Sequence, residues 1–480
     1  MRSLFHVRWL LALVLGLGSF LVAHATHNQG AEIAYKSIAP TTPGVPRYHV
    51  LVRLYLDPAN RTLATTIALV ATQGGCDATG PNKVVVPNIL RTQPTPGYAI
   101  NCGTAGVTLN YYTAIYETDL DLPTGAWVLG VTLENRASDI QNIANAEAHN
   151  SFVNAYLNSS LAAQDSSPQF QATLLPYVGG NAAQHYSFSA YDADGDSLSY
   201  SYILPREVVA GIEANSTCGS SLSGFYSPQY QLDARTGVLT STAGTTQQGR
   251  FSMSGQVNEY RRLNGQWQLI GFVTRDLTYL AYATTNRPPD FTSLTVNGGA
   301  AQPVDQPIAA RPGQLLTLTL TAADPDAGQQ LTFACASTAI MPGLSLATLS
   351  GTQVQLTWQV PATLPPGRYT LPVAVLDDGC PQRTTQERTL LIVVGGQALA
   401  TRPATNAESQ AYPVPFREQV QFLAAPGQAV TLVDALGRVV ARLSADASGR
   451  VLWQPSAGLP AGLYLARGAG GQALARLLRE

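Results

Sequence analysis

Two short acidic segments contain the residues of this sequence whose types and spacing could do chemistry. The first holds Asp192, Asp194 and Asp196, and the second holds Asp324 and Asp326. Alternating carboxylates supply hard oxygen ligands, which are the ligands that Ca²⁺ takes in proteins. Aspartate and glycine also make ordinary turns between strands, because the carboxylate accepts hydrogen bonds from nearby backbone amides. The sequence leaves calcium ligation and turn formation open as alternatives.

Enzymatic signatures are missing from the sequence. There is no HExxH, GxSxG or GxGxxG motif, and His49, His149 and His185 stand apart from any candidate nucleophile. A glycosidase-like pair of carboxylates stays open, because strand ends distant in sequence could bring two acids together. The 21 tyrosines could build a sugar-binding platform, although pairs on neighbouring strands are the commoner arrangement. We therefore expect a protein that is not an enzyme and has no catalytic residues.

Length and composition limit the class of protein that positions these residues. The chain has 480 residues, of which 45% are hydrophobic and 12% charged, and this predicts three to five globular domains of about 100 residues each. Its 42 glycines and 31 prolines indicate many short strands joined by turns, so we predict an all-β fold. The formal net charge is −2, and the basic residues form no run, which excludes a nucleic-acid partner.

The N-terminus has the pattern of a secretory signal peptide. Arg2 and Arg8 precede an apolar stretch over residues 9–23, and small residues follow at the positions required for cleavage between Ala25 and Thr26. Fifteen apolar residues are short for a membrane span, which needs about 20. A cleaved signal therefore fits better than an anchor, and we expect an exported protein.

Five cysteines fit an oxidising compartment. Cys76 and Cys102 are predicted to form one disulfide, and Cys335 and Cys380 another, which would contribute about 3–4 kcal/mol by restricting the unfolded chain. Cys218 is left unpaired by this assignment. The absence of a CxxC spacing argues against a zinc site.

Strand patterns and Pro-rich breaks divide the chain into segments. Hydrophobic and polar residues alternate at 48–56 and again at 354–360, as they do in half-buried strands. Residues 139–164 favour a loop followed by a strand over a helix, because five asparagines interrupt them. The predicted segments are a signal peptide (1–25), an N-terminal β-domain (26–164), two immunoglobulin-like β-sandwiches (167–286 and 287–396), a linker (397–410) and a small C-terminal β-domain (411–480).

The last seventy residues contain three compact motifs. Tyr-Pro-Val-Pro-Phe occupies residues 412–416, Asp-Ala-Leu-Gly-Arg-Val occupies 434–439, and Gly-Leu-Pro-Ala-Gly-Leu-Tyr occupies 458–464. They resemble the type A C-terminal sorting domain of the type IX secretion system of Bacteroidota, in which Asn usually stands at the position of Val414. The resemblance implies an address read by the secretion translocon, with these motif residues: Tyr412, Pro413, Pro415, Phe416, Asp434, Gly437, Arg438, Gly458, Pro460, Ala461, Gly462 and Tyr464.

A second resemblance covers much of the remaining chain. The phrases at residues 29–35, 158–170, 192–200 and 275–277 are similar to those of large Bacteroidota surface proteins with cadherin- or PKD-like sandwich repeats. The cysteine that usually follows the first Tyr-x-Asp phrase of that family is missing after Asp57. The resemblance implies an extracellular role in adhesion or gliding.

Cadherin-type domains bind Ca²⁺ with oxygen atoms from two domains and the linker between them, and this resemblance implies a similar site at each sandwich boundary. The first site would use the acidic segment at 192–196. The second would combine the segment at 324–326 with linker residues and an acid of the preceding domain. The implied ligands are Asp192, Asp194, Asp196, Asn286, Asp290, Asp324 and Asp326, with Glu259 or Asp276.

These observations predict a secreted, non-enzymatic structural or adhesion protein. The resemblances imply export across the outer membrane by the type IX translocon and exposure at the cell surface or in the medium. The implied partners are a cell-surface glycolipid anchor, glycans or other surface proteins. No cofactor is required, and Ca²⁺ is the one candidate. The alternatives are a carbohydrate-binding module protein and a divergent secreted hydrolase.

Overall fold

A computed structural model describes residues 28–56, 64–74, 83–93, 111–133, 136–172, 177–179, 182–208, 219–222, 230–241, 248–379, 383–395, 411–413, 415–434, 437–456, 458–468 and 473–480. The chain forms two compact units, Met1–Gly396 (unit 1) and Gln397–Glu480 (unit 2). The predicted signal peptide with Ala25 and Thr26, the linker and the cysteines at 76, 102, 218 and 380 lie outside the described residues. In the part of the chain that is described, no helix is long and apolar enough to cross a membrane.

Strands dominate the described residues, and the all-β prediction is confirmed. The helical segments among them are two short 3-10 turns, Ala146–Ala148 and Ala336–Ala339. The first part of unit 1 contains β1 Asn28–Ile38, β2 Arg47–Leu56, β3 Thr66–Gln73, β4 Lys83–Gln93, β5 Tyr112–Asp121, β6 Ala126–Leu133 and β7 Ser151–Asn158. The middle part contains β8 Gln169–Phe170, β9 Tyr177–Gly179, β10 His185–Ser187, β11 Ala190–Tyr191, β12 Ser197–Ile203, β13 Arg206–Glu207, β14 Ser220–Ser221, β15 Tyr230–Leu232, β16 Val238–Ser241, β17 Gly249–Leu263 and β18 Gln266–Tyr282.

The third part of unit 1 begins at residue 290, and unit 2 follows. The third part contains β19 Asp290–Val296, β20 Ala301–Gln302, β21 Ile308–Ala310, β22 Leu315–Ala323, β23 Thr332–Ala334, β24 Leu344–Ser350, β25 Gln353–Gln359, β26 Gly367–Leu376 and β27 Thr385–Val394. Unit 2 contains β28 Val420–Leu423, β29 Ala429–Asp434, β30 Val439–Ser444, β31 Arg450–Trp453, β32 Gly462–Gly468 and β33 Ala473–Arg479.

One long strand, β18, joins the first and middle parts of unit 1. The strand order of the large sheet is β1-β2-β5-β4-β3-β6-β7-β18-β17-β12. Strand β17 covers one edge of β18, while β7 pairs with residues 271–273 and β1 with residues 275–277 along the other edge. Both ends of the β1-to-β7 sheet therefore meet on β18. The boundary expected between residues 164 and 167 does not separate two sheets.

Burial follows from the alternation in these strands. Tyr48, Val50, Val52 and Leu54 of β2 are buried, and the residues between them are partly exposed. They share a core with side chains from the middle part of the chain, among them Phe188 of the loop after β10. Strands β10, β16 and β15 of the middle part pair in that order and form a second layer over this core. A single core therefore spans residues 31–282, which is why the expected boundary is missing.

Glycine permits the close approach of β1 to β18. Gly30 pairs with Leu277 and has a φ of 152°. A Cβ atom at this position would lie 2.5 Å from the backbone oxygen of Asp276, a distance that is too short for any side chain. The glycine therefore fixes where the two strands can meet.

Residues 290–394 form an immunoglobulin-like sandwich. One sheet has the order β20-β19-β22-β25-β24, and the other has the order β21-β27-β26-β23. Strands β19, β22, β25 and β24 correspond to the A-B-E-D sheet of such folds, and β27, β26 and β23 correspond to G, F and C. The predicted strand at 354–360 is β25, whose Val354, Leu356 and Trp358 are fully buried. The immunoglobulin-like prediction is confirmed for this segment.

A polar seam attaches this sandwich to the middle part of unit 1. The backbone amide of His185 donates to Gln386 Oε1 (2.6 Å), and that of Ser187 donates to Glu387 Oε2 (3.1 Å). Tyr282 Oη donates to the backbone oxygen of Arg383 (2.8 Å). These bonds link β10 and β18 to β27 and the residues before it, so the sandwich is docked against its neighbour.

Cys335 has a free thiol among the described residues, and the disulfide with Cys380 stays a prediction because Cys380 lies outside them. Its Sγ lies 3.3 Å from the backbone oxygen of Pro372, on the facing strand β26. The thiol therefore points across its own sheet. Burial raises the pKa of the Cys335 thiol to about 11, so the thiol is protonated at neutral pH.

Unit 2 is a small sandwich with its own core. Strands β28 and β31 form one layer, and the order β30-β29-β32-β33 forms the other. Trp453 lies at the centre, with its ring centroid 5.5 Å from that of Phe416 and 5.3 Å from that of Tyr464. The prediction of a small C-terminal β-domain is confirmed.

Candidate functional site

The acidic segment at 192–196 forms the turn between β11 and β12. Asp192 Oδ1 accepts a hydrogen bond from the backbone amide of Asp196 (3.0 Å), and Gly195 between them has a φ of 80°. Asp194 Oδ2 accepts from the backbone amide of Ser166 (2.7 Å). The segment is thus a turn, as one alternative predicted, and it also faces the loop that follows β7.

Two further acids converge on this turn. Glu259, in the middle of β17, is fully buried, and Asp165 lies in the loop after β7. Carboxylate oxygens of Asp165, Asp196 and Glu259 lie within 4.8 Å of one another, and no other group of three His, Cys, Asp or Glu side chains converges in this way among the described residues. We call Asp165, Asp192, Asp196 and Glu259 the acidic cluster. Asp165 was missed because no motif surrounds it.

Local structure holds two members of the acidic cluster in place. Ser167 donates its backbone amide to the Tyr35 oxygen and accepts the Tyr35 amide at its Oγ (both 2.9 Å), which pins the loop of Asp165 to β1. Glu259 pairs across the sheet with Gly271. A Cβ atom on Gly271 would lie 2.6 Å from Glu259 Oε2, so the glycine leaves the space that the carboxylate occupies.

One arginine partly compensates the charge of the acidic cluster. Arg261 donates from Nε to Asp196 Oδ1 (2.8 Å) and from Nη2 to Asp165 Oδ1 (2.6 Å), and Nη2 also contacts Asp196 Oδ2. With all four carboxylates ionised, one guanidinium would leave three negative charges. Buried oxygens without a hydrogen-bond donor among the described residues are Asp165 Oδ2, Asp192 Oδ2, Glu259 Oε1 and Glu259 Oε2.

The proton affinity of the acidic cluster reflects this lack of compensation. Burial, opposed by Arg261 and reinforced by the neighbouring aspartates, raises the pKa of Asp165 to about 8. Burial and then the charge of Asp192 hold the pKa of Glu259 well above its usual range. Burial also raises the pKa of Asp192. Like charges in a low-dielectric interior favour either protonation or a bound cation.

The second acidic segment is bound by arginine instead. Asp326 accepts from the backbone amide of Arg287 (2.7 Å) and from its guanidinium Nε (2.8 Å). Asp290 pairs with Arg388, whose Nε lies 2.9 Å from Asp290 Oδ1. Asp324 Oδ1 accepts from the amide of Asp326 (2.7 Å). These carboxylates do not converge, so the ligand set implied for the second boundary is not assembled.

Asn286 and Asp276, the remaining members of that implied set, have structural partners. Asn286 Nδ2 donates to Asp377 Oδ2 (3.0 Å), and its Oδ1 accepts from Gln329 (2.7 Å). Asp276 forms a buried ion pair with Arg136, whose Nη1 lies 3.0 Å from Asp276 Oδ1. Glu259 lies in the first site rather than the second. The arginines supply the positive charge that a metal ion was expected to supply.

The three tail motifs contribute residues to the core and to the turns of unit 2. Tyr464 Oη donates to the backbone oxygen of Pro460 (2.5 Å), which is the arrangement called a tyrosine corner. Asp434 Oδ1 accepts from the backbone amide of Arg438 (2.9 Å) and closes the β29–β30 turn, in which Gly437 has a φ of 82°. The buried motif residues are Phe416 and Tyr464, and the exposed ones are Tyr412, Pro413, Pro415, Gly437, Arg438, Gly458, Pro460 and Ala461.

Unit 1 contains the same corner. Tyr369 Oη donates to the backbone oxygen of Pro365 (2.8 Å) at the start of β26. The sequence Leu-Pro-x-Gly-x-Tyr occurs at both 364–369 and 459–464. This repeat was present in the sequence and could have identified both corners.

The aromatic residues in the described part of the chain do not form an exposed platform for sugars. Most of the described tyrosines are buried or half-buried, as the cross-strand alternative predicted. Among the described aromatic residues, Trp267 (62% exposed) and Tyr412 (70% exposed) stand out at the surface. Trp267 lines a groove together with Arg235, Tyr200 and Arg368.

Comparison with known proteins identifies no family. No protein-family model matches the chain, and no curated protein matches it. Among solved structures, the chain is similar to Drosophila N-cadherin EC1-3 (11% identity, 64% of this chain and 98% of that one, TM-score 0.21) and to the human desmocollin-1 ectodomain (11%, 88% and 76%, TM-score 0.17). It is also similar to titin domains Z1Z2 in complex with telethonin (14%, 48% and 95%, TM-score 0.16). TM-scores this low support no conclusion on family or function.

Proposed function

We propose that this chain is a non-enzymatic structural or adhesion protein that acts outside the cell. The observation that carries the proposal is the seam between β10 and β27, where buried and half-buried hydrogen bonds join the immunoglobulin-like sandwich to the preceding core. Domains with few contacts between them move independently. Such domains do not hold a surface at a fixed position. A docked sandwich instead holds its outer surface at a fixed position, which suits a protein that presents a binding face.

The proposal extends to the export route. Residues 411–480 would be the sorting domain that the type IX translocon reads, and the glycolipid anchor, glycans or surface proteins would be partners outside the cell. Two observations support this. Unit 2 is a separate compact unit, and Tyr412, Pro413, Pro415 and Arg438 lie on its surface, where a receptor could contact them.

Removal of the tail tests the export route. In the native host, full-length chain and a chain ending at Gln410 are compared for cleavage by protease added outside intact cells. We expect the full-length chain to be cleaved and the shortened chain to be protected inside the cell, because it lacks the domain that the translocon reads.

Thermal unfolding of the two purified chains is the control for folding. Unit 1 has its own cores, so its melting transition should be the same in both chains. Equal external cleavage of full-length and shortened chain would contradict the proposed sorting role of residues 411–480.

A further inference from the structure

Glu259 is the buried acid that the strand network leaves unsatisfied. The side chain is fully buried in β17, and neither Oε1 nor Oε2 accepts a hydrogen bond from any donor in the described part of the chain. One carboxylate oxygen of Glu259 lies within 4.8 Å of one carboxylate oxygen each of Asp165 and Asp196. An ionised carboxylate without a donor or a cation is very costly to bury. Either a proton or a cation must therefore neutralise Glu259 at this position.

We infer that Asp165, Asp192, Asp196 and Glu259 bind one Ca²⁺ ion. The four oxygens that lack donors belong to three side chains, and both oxygens of Glu259 are free for bidentate ligation. Bidentate carboxylates and a flexible arrangement of oxygen ligands are typical of Ca²⁺, whereas Mg²⁺ requires a near-ideal octahedron. The cluster contains no His or Cys, which argues against zinc and copper.

Charge balance supports a divalent ion. With all four carboxylates ionised, Arg261 leaves three negative charges in the acidic cluster, and Ca²⁺ would reduce them to one. Arg261 contacts the Oδ1 atom of Asp165 and leaves Oδ2 free for the ion. Both oxygens of Asp196 contact Arg261, so an Asp196 oxygen that binds the ion would be shared with the guanidinium.

The ion would join three segments that are distant in sequence. Asp165 belongs to the loop after β7, Asp192 and Asp196 to the turn before β12, and Glu259 to β17. Strands β12 and β17 already pair through Leu198 and Glu259, and the loop of Asp165 already bonds to Arg261 and to Asp194. The ion would therefore reinforce links that the folded chain already makes. Binding to the folded state alone raises stability by mass action, and we expect Tm to rise by several degrees in saturating Ca²⁺.

The competing explanation is a proton. Asp192 and Glu259 face each other closely enough to share one when one of them is protonated. A shared proton satisfies two of the four oxygens and leaves no place for a metal ion. Calorimetric titration distinguishes the two cases, because only the ion gives a saturable stoichiometry.

Purified full-length chain, freed of metal with a chelator, is titrated with CaCl₂ and separately with MgCl₂ at pH 7.5. The expected result is one Ca²⁺ per chain, at least tenfold weaker binding of Mg²⁺, and a Ca²⁺-dependent rise in Tm. Glu259→Gln should abolish binding and the rise in Tm. Asp326→Asn, which replaces an acid that pairs with Arg287, should leave both the Ca²⁺ binding and the rise in Tm unchanged.

The melting transition of the Glu259→Gln variant without Ca²⁺ shows whether the variant folds. Under this condition the variant should be at least as stable as the wild type, because it lacks the buried carboxyl group. Asp165→Asn provides a second variant and should weaken binding at least tenfold. No Ca²⁺ binding by the wild type, or unchanged binding by the folded Glu259→Gln variant, would overturn the inference. Because the test uses purified protein, its failure leaves the proposed export and adhesion untouched.

Discussion

Tyr369 and Tyr464 have the same structural role in two different sandwiches. In each case the phenol donates a hydrogen bond to the backbone oxygen of a proline four residues earlier. In each case the ring also packs on a buried tryptophan, at a centroid distance of 6.4 Å from Trp358 for Tyr369 and 5.3 Å from Trp453 for Tyr464. The hydroxyl therefore fixes the chain where it enters β26 or β32. Part of the tail motif accordingly stabilises the fold of unit 2.

Tyr369→Phe should lower the free energy of unfolding by about 1 kcal/mol, the net contribution of one hydrogen bond. The ring and its packing are retained, so the effect isolates the hydroxyl. Chemical denaturation followed by fluorescence measures the change. Tyr412→Phe is the matched control and should have no effect, because Tyr412 is 70% exposed. Equal stability of the Tyr369→Phe variant and the wild type would show that the corner contributes nothing.

The sequence identified most of the acidic cluster but could not complete it. Asp192 and Asp196 were candidates because alternating carboxylates suit Ca²⁺, whereas Glu259 was expected at the second boundary. Asp165 stands alone between Gln164 and Ser166, and the bonds of Ser167 to Tyr35 and of the Ser166 amide to Asp194 hold it in the cluster. The second candidate set failed for a related reason. Arg287 and Arg388 bind Asp326 and Asp290, and nothing local in the sequence pairs these residues.

At the scale of elements, the contact between β10 and β27 decides how the immunoglobulin-like sandwich is held. The Ser187 amide of β10 donates to Glu387 of β27. Burial raises the pKa of Glu387 to about 7, against the opposing effects of the Ser187 amide and of Arg275. The folded protein thus binds a proton at Glu387 that the unfolded chain, with a pKa near its ordinary 4.5, has lost by pH 6.

The folded state should therefore lose stability relative to the unfolded chain as the pH rises, because burial disfavours the ionised form of Glu387. Because the folded-state pKa of Glu387 is raised, its contribution to stability is full below pH 4.5 and is lost between pH 4.5 and 7. Glu387→Gln keeps an acceptor for Ser187 and cannot ionise. The measurement is Tm of both proteins from pH 4.5 to 7.5, and we expect the wild type to fall relative to the variant across this window. Parallel curves would contradict the assignment to Glu387.

Strands were more predictable than their pairing. The alternation at 354–360 correctly predicted β25, because side chains alternate between buried and exposed faces. The asparagines at 139–164 correctly favoured a loop followed by a strand, which is β7. The merging of the first two predicted domains was missed. It depends on β1 and β7 sharing one edge of β18, and a strand pattern does not identify a partner that lies more than a hundred residues away.

At the scale of the whole molecule, the two units differ in what they contain. Unit 1 contains a large shared core, a docked immunoglobulin-like sandwich and the acidic cluster. Unit 2 contains a small sandwich with exposed motif residues. In our proposal unit 1 provides the presented surface and unit 2 directs it to the outside of the cell.

Retention of cells on a surface under shear flow tests this division of work most directly. Host cells producing the full-length chain, the chain ending at Gln410 or no chain are compared at equal expression. We expect only the full-length chain to increase retention. Cells with the shortened chain should be retained no better than cells without the chain, because the shortened chain does not reach the surface. Equal retention of all three kinds of cell, or full retention with the shortened chain, would contradict this expectation.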